Sequence, residues 1–235
     1  MNPISRRSFI GPAATGLIAL GTAGSEAEAQ LVYQPADWKI KEFEQLARSP
    51  TRVKQVFDVT TIADPTLLNP LKNALNGLHF GFGVPLEQIQ IVAALHGPAN
   101  MLNYDDYVWS KYRVGEWLNV TDPENHKPVT RNPRYPSKAG KELRYSSQDP
   151  NNSGSSYQDI SIQGLQARGV KFLSCHTAAE MQARMLIEHW KLDQDPEDVV
   201  KELQAHVWPG VLVVPAMVAA LAMLQIDGHY AYTTA

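Results

Sequence analysis

The chain holds one cysteine, Cys175, and seven histidines, of which His96 precedes a glycine and His176 follows that cysteine. Cys175 stands in Ser174-Cys175-His176-Thr177, where an apolar, β-prone run gives way to a helix. A thiol there meets unpaired backbone N–H groups and the positive end of the helix dipole, which favour the thiolate, and His176 is a charged neighbour in the sequence. Such a thiolate can act as a nucleophile. The opposite reading is an inert core thiol, because free cysteine is among the most buried residue types. The second segment is His96-Gly97-Pro98, after another β-prone run. Gly97 permits close approach to the backbone, so His96 is either a binding residue or a local hydrogen-bond partner. His96, Gly97, His176 and Thr177 are therefore the candidate binding residues around Cys175. No zinc-type spacing links the histidines to the cysteine, and no metal site is assigned. A P-loop, a G-x-G-x-x-G after the first strand and a G-x-S-x-G are all missing, which argues against nucleotide-binding enzymes and serine hydrolases.

The elements that must position these residues alternate in type. Pro35 to Arg48 reads as an amphipathic helix, with Trp38, Phe43 and Leu46 apolar among Lys and Glu. Val53 to Thr60 reads as a first strand. Asp64-Pro65 opens a helix with Leu67, Leu68, Leu71, Leu75 and Leu78 at helical spacing. Ile89 to Leu95 is a nearly continuous apolar run suited to a parallel strand covered on both faces. A helix ending at Gly169, a strand from Val170 to Ser174 and a helix from Ala178 to Trp190 follow. Asp195-Pro196 caps another helix, Val211 to Val214 is a strand, Pro215 to Ile226 an apolar helix, and Tyr230 to Thr233 a last strand. Five strands alternating with helices predict a three-layer α/β/α domain with a mostly parallel sheet. Ligands in such sheets bind outside the carboxyl ends of the strands, where both candidate segments fall.

Between these elements, Asn103 to about Ser156 changes character. Its Tyr and Trp residues mix with Asn, Asp, Pro, Lys and Arg, and beyond a short helix at Tyr104 to Arg113 it has little periodicity. Excursions this long usually act as lids, binding loops or assembly arms, and the aromatic content favours an ordered one. Asp105 and Asp106, within it, carry no distinctive signal.

At the start of the chain, Ser5-Arg6-Arg7-Ser8-Phe9 precedes an uncharged stretch broken by glycines and a proline, then Ala27-Glu28-Ala29. The paired Arg6 and Arg7 are the mark of twin-arginine export, and cleavage after Ala29 would start the mature chain at Gln30. The stretch falls short of the roughly 18 apolar residues of a membrane span. The expected organisation is a signal peptide over 1–29, an N-terminal helical extension over 30–52 and an α/β domain over 53–235, carrying the excursion at about 103–156. The expected location is the periplasm, with no membrane span after cleavage. The chain is 44% apolar and 19% charged with a formal net charge of −3. That composition suits a packed core and leaves no basic field for nucleic acid. A lone cysteine excludes an internal disulfide.

Gly169-Val-Lys-Phe-Leu-Ser-Cys175-His-Thr-Ala178-Ala179, with Arg184 further on, resembles the cysteine segment of the DsrE/DsrF-like family. Val211-Leu-Val-Val-Pro215 through Leu221, Leu224-Gln225 and Gly228-His-Tyr-Ala-Tyr232 resembles its final stretch, and Ile91-Val-Ala-Ala-Leu-His96-Gly97-Pro98-Ala99 its second-strand turn. The resemblance implies a five-stranded parallel α/β domain assembled as a trimer or hexamer. It also implies that Cys175 carries sulfur as a persulfide between a sulfur donor and an acceptor. The export leader and the aromatic excursion set this chain apart from the small relay subunits of that family. The competing expectation is a non-enzymatic periplasmic protein binding a haem, a metal or a small ligand, with His96 or His176 and Cys175 as candidate ligands.

Overall fold

The computed structural model describes residues 32–135, 151 and 159–235. The leader, with Arg6, Arg7 and the cleavage point after Ala29, lies outside the described residues, as do 136–150 and 152–158 of the excursion. A helical turn at Pro35–Asp37 and helix α1 (Ile40–Ala47) precede the first strand, β1 (Val53–Val59). Then come α2 (Asn69–Asn76), β2 (Ile89–Leu95), a 3₁₀ segment at Gly97–Asn103, and the short helices α3 (Asp106–Lys111) and α4 (Val114–Trp117). The chain continues with α5 (Ile162–Ala167), β3 (Lys171–Cys175), α6 (His176–Trp190) and α7 (Pro196–Ala205). It ends with β4 (Val211–Val214), α8 (Met217–Ile226) and β5 (Ala231–Thr234).

The five strands form one all-parallel sheet in the order β4-β3-β2-β1-β5, flanked by helices on both faces. This is the expected three-layer α/β/α architecture. Alternation along β2 explains its central place: Ile91, Ala93 and Leu95 join one core cluster, while Val92 and Ala94 join the other. The first cluster takes the apolar sides of α2, α5, α6 and α7 through Leu71, Leu165, Ala183 and Leu203. The second is covered by α1 and α8 through Phe43, Met217, Ala220 and Leu224.

Two local expectations change. Asp64 does not cap a helix at Pro65; its carboxylate takes the Thr66 N–H and hydroxyl at 2.6 and 2.8 Å. That turn consumes the residues through Leu68, so α2 starts at Asn69 with Pro70 in its first turn, where a missing N–H costs nothing. Asp105 and Asp106 are anchors rather than bare surface charges. Asp105 caps α3 by accepting from Tyr107 and Val108 and also meets His206 Nδ1 at 2.8 Å, while Asp106 accepts the Asn132 N–H at 3.0 Å. The described part of the excursion is packed: Tyr104, Trp109 and Tyr112 are buried in the larger core cluster.

Candidate functional site at the carboxyl edge of the sheet

The strand order decides where a crevice forms. The connections leaving β1, β2 and β3 all lead to helices on the larger face, whereas the one leaving β4 leads to α8 on the other face. The helices after β3 and β4 therefore part in opposite directions, which makes the gap between those two strand ends the topological switch point, the usual ligand position in open parallel sheets. Cys175 is the last residue of β3, level with Val214 of β4.

Cys175 is also the N-cap of α6, and its sulfur is held from two sides. The Ala178 N–H, in the first turn of α6, donates to Sγ at 3.4 Å. The Met217 N–H, first in α8, donates at 3.3 Å, and Thr177 Oγ1 lies 3.1 Å away. The Thr177 N–H reaches across to the Pro215 carbonyl at 3.2 Å, tying the two helix starts together. Both helices aim their positive ends at the sulfur of a residue that is 3% exposed.

Behind the sulfur sits a buried amide. Asn100 Oδ1 accepts the Cys175 N–H at 2.9 Å and the Ser174 hydroxyl at 3.0 Å. Its Nδ2 donates to the Tyr104 hydroxyl and to Gln182 Oε1, and Gln182 donates in turn to the Gly97 carbonyl at 2.7 Å. This chain links the turn after β2 to the turn after β3, so His96-Gly97 and Cys175 are fixed with respect to each other. Burial pushes the Tyr104 phenol well above its usual range, which keeps it a neutral member of the network. Gly97 has φ +54°, and a Cβ there would meet the Thr60 carbonyl at 3.3 Å, so the turn requires glycine.

His96 does not bond the sulfur. Its Nε2 lies 2.5 Å from Asp58 Oδ1 on β1, and Asp58 Oδ2 accepts the Tyr232 hydroxyl at 2.6 Å from β5. That bond holds the exposed Tyr232 phenol above its usual range. His176 turns the other way, since neighbours in an extended chain point to opposite faces. Its Nδ1 meets Gln204 Nε2 at 2.5 Å on α7, its ring stacks on Tyr33 at 3.8 Å, and Nε2 lies 3.7 Å from Glu180. Burial holds this imidazole below its ordinary pKa. None of its contacts is to Cys175.

Of the residues expected from the sequence, Cys175, Thr177, His96 and Gly97 thus share the carboxyl edge, while His176 belongs to the interface of α6 with α7. Asp58, Asn100, Tyr232 and the Met217 N–H were not anticipated. The one available signal was Asp58 itself, a charge inside the otherwise strand-like Val53 to Thr60. Among the described residues no group of three or more His, Cys, Asp and Glu is placed to hold a metal ion. A groove of about 260 Å³ between α1 and α8 is lined by Trp38, Phe43, Ala216, Ala220 and Met223. No model of a known protein family matches the chain, and none of the curated proteins matches it either.

Proposed function

We propose that this protein is an exported sulfur carrier or sulfurtransferase of the DsrE-like kind that holds sulfur as a persulfide on Cys175. The observation that carries the reading is the convergence of two helix N-termini on one sulfur, with the Ala178 and Met217 N–H groups directed at Sγ. Fixed N–H groups offset negative charge without reorganising, which suits a site that must hold sulfur anions in turn. The thiolate attacks the outer sulfur of a donor such as thiosulfate. A new S–S bond forms at Cys175, the donor's S–S bond breaks, and sulfite leaves with the electron pair. An acceptor nucleophile then takes the terminal sulfur and returns Cys175 as thiolate. A cysteine only 3% exposed favours a small anionic donor over a protein one. The outer side of α8, with Val218 and Ile226 70% and 68% exposed, is the surface through which we place a homo-oligomer, a trimer or hexamer.

Incubation of the full chain with thiosulfate or polysulfide tests this reading. We expect a gain of about 32 Da per sulfur at Cys175, reversed by a reducing thiol. A folded protein that takes up no sulfur and resists alkylation would overturn it.

The groove between α1 and α8 favours a second reading, a periplasmic protein that binds a small apolar molecule without turnover. Its 260 Å³ falls just below the range of about 300 to 1,000 Å³ usual for ligand sites, which limits it to a small occupant, and its Trp38 and Phe43 walls are apolar. Solvent extraction and mass spectrometry of protein isolated from its native compartment separate the readings. A stoichiometric apolar molecule in the extract would favour binding.

A further inference from the structure

The chain of hydrogen bonds from Tyr232 through Asp58 to His96 crosses three strands, and its place beside Cys175 follows from register. Asp58 follows Val56 by two residues, His96 follows Ala94 by two, and Cys175 follows Leu173 by two. Val56, Ala94, Leu173 and Cys175 all belong to the smaller core cluster, so the alternation of strands brings Asp58 and His96 to that same face. Leu95 pairs with Ser174, which sets His96 level with Cys175 on the neighbouring strand. A carboxylate can only accept, so a neutral His96 bonded to Asp58 through Nε2–H would keep its lone pair on Nδ1. No described residue bonds Nδ1. The His96 and Asp58 side chains are 21% and 12% exposed, buried enough to be held and open enough to meet a small molecule.

We infer that His96 is the general base that activates a thiol acceptor at this site, with Asp58 and Tyr232 as the residues that position it; the inference rests on the sulfur-carrier reading. A thiol acceptor must lose its proton before it can take sulfur. Nδ1 removes that proton, the acceptor sulfur attacks the terminal sulfur on Cys175, and the S–S bond to Sγ breaks with its electron pair going to Cys175. The products are the acceptor persulfide, the Cys175 thiolate and an imidazolium facing the Asp58 carboxylate, so atoms and charge balance. Sulfite, a dianion in mildly alkaline buffer, brings no proton to remove.

That difference between acceptors supplies the test. The full chain is loaded with thiosulfate, freed of donor, and offered either 2-mercaptoethanol or sulfite in mildly alkaline buffer, while loss of the sulfur adduct from Cys175 is timed by mass spectrometry. His96→Gln and Asp58→Asn should slow transfer to the thiol by on the order of a hundredfold relative to transfer to sulfite. Tyr232→Phe, which removes only an exposed hydroxyl and so leaves the fold intact, should shift the same ratio by a smaller factor. Equal slowing with both acceptors, or none with either, would show that the chain merely pins β1, β2 and β5 together and overturns the base. A parent chain that never loads removes the sulfur-carrier reading and this inference with it.

Discussion

On one face of the sheet, α2, α5, α6, α7 and the described part of the excursion bury the larger core cluster, with Trp109, Tyr104 and Tyr112 at its heart. On the other face only α1 and α8 cover the strands, and the outer side of α8 remains apolar. Yet the smaller face holds Cys175, Asp58 and His96. The layer that supplies most of the folding energy is thus separated by the sheet from the residues that could do chemistry. The substitutions below test that division.

The largest effect belongs to the smaller face. Cys175→Ser should abolish sulfur uptake altogether while leaving the fold nearly as stable. A serine Oγ can still accept at an N-cap, so the helix start keeps a partner, and the thermal midpoint should move by no more than about 3 °C. Mass spectrometry after thiosulfate and a thermal melt read the two halves of this expectation. A large fall in the melting midpoint would mean that the sulfur is a packing element first.

Trp109→Ala should show the converse. The indole is fully buried in the larger cluster and donates to the Met101 carbonyl at 3.0 Å. Its removal should lower stability by about 3–5 kcal/mol, measured by urea unfolding. Uptake by the fraction that remains folded should be unchanged. If the variant folds but loads sulfur more slowly, the two faces are coupled through Asn100, which belongs to the Gly97–Asn103 segment and accepts the Cys175 N–H.

The elements with strong local signals were legible in the sequence. The apolar run at β2 and the Asp195-Pro196 cap of α7 stand as expected, because a doubly covered strand and a capping carboxylate are encoded within a few residues. The start of α2 at Asn69 is not legible because Asp64 can bond either a helix N-terminus or the next turn, and only the following Leu67 and Leu68, both buried, decide between them. For the site, the strand end at Cys175 was visible, since composition changes there. Met217 was not, because its N–H reaches the sulfur only once β4 lies beside β3, and strand order is absent from local spacing. Tyr232 and Asp58 meet for the same reason, through the pairing of β5 with β1. His176 looked like a partner of Cys175 because it is adjacent, and adjacency in an extended chain is what separates them.

The exposed side of α8 gives a smaller effect on stability and a sharper view of assembly. Val218→Ser with Ile226→Ser alters two residues that make little contact with the core. The pair should change the unfolding free energy of the single chain by about 0.5 kcal/mol or less. If this face joins copies of the chain, light scattering should show the parent as an oligomer and the double variant as a monomer at the same concentration. Identical masses for both would move the interface elsewhere.

The smallest effect is a pH dependence on the larger face. His176 is buried against Tyr33, Gln204 and Glu180, and burial lowers its pKa from the ordinary 6.5. The unfolded chain therefore binds a proton at this position at higher pH than the folded chain does. Above about 6.5 both states are neutral here and the residue makes no pH-dependent contribution. As pH falls below that value the unfolded state gains the proton first, so stability declines until the folded-state pKa is passed. His176→Gln has no proton to gain and should flatten that part of the stability curve, with Glu180 a carboxylate that still faces the position. Urea midpoints of parent and variant across mildly acidic buffers measure the difference. A curve equally steep in both would mean that the acid sensitivity arises elsewhere and that the imidazole is charged, or exchanges freely with solvent, inside the fold.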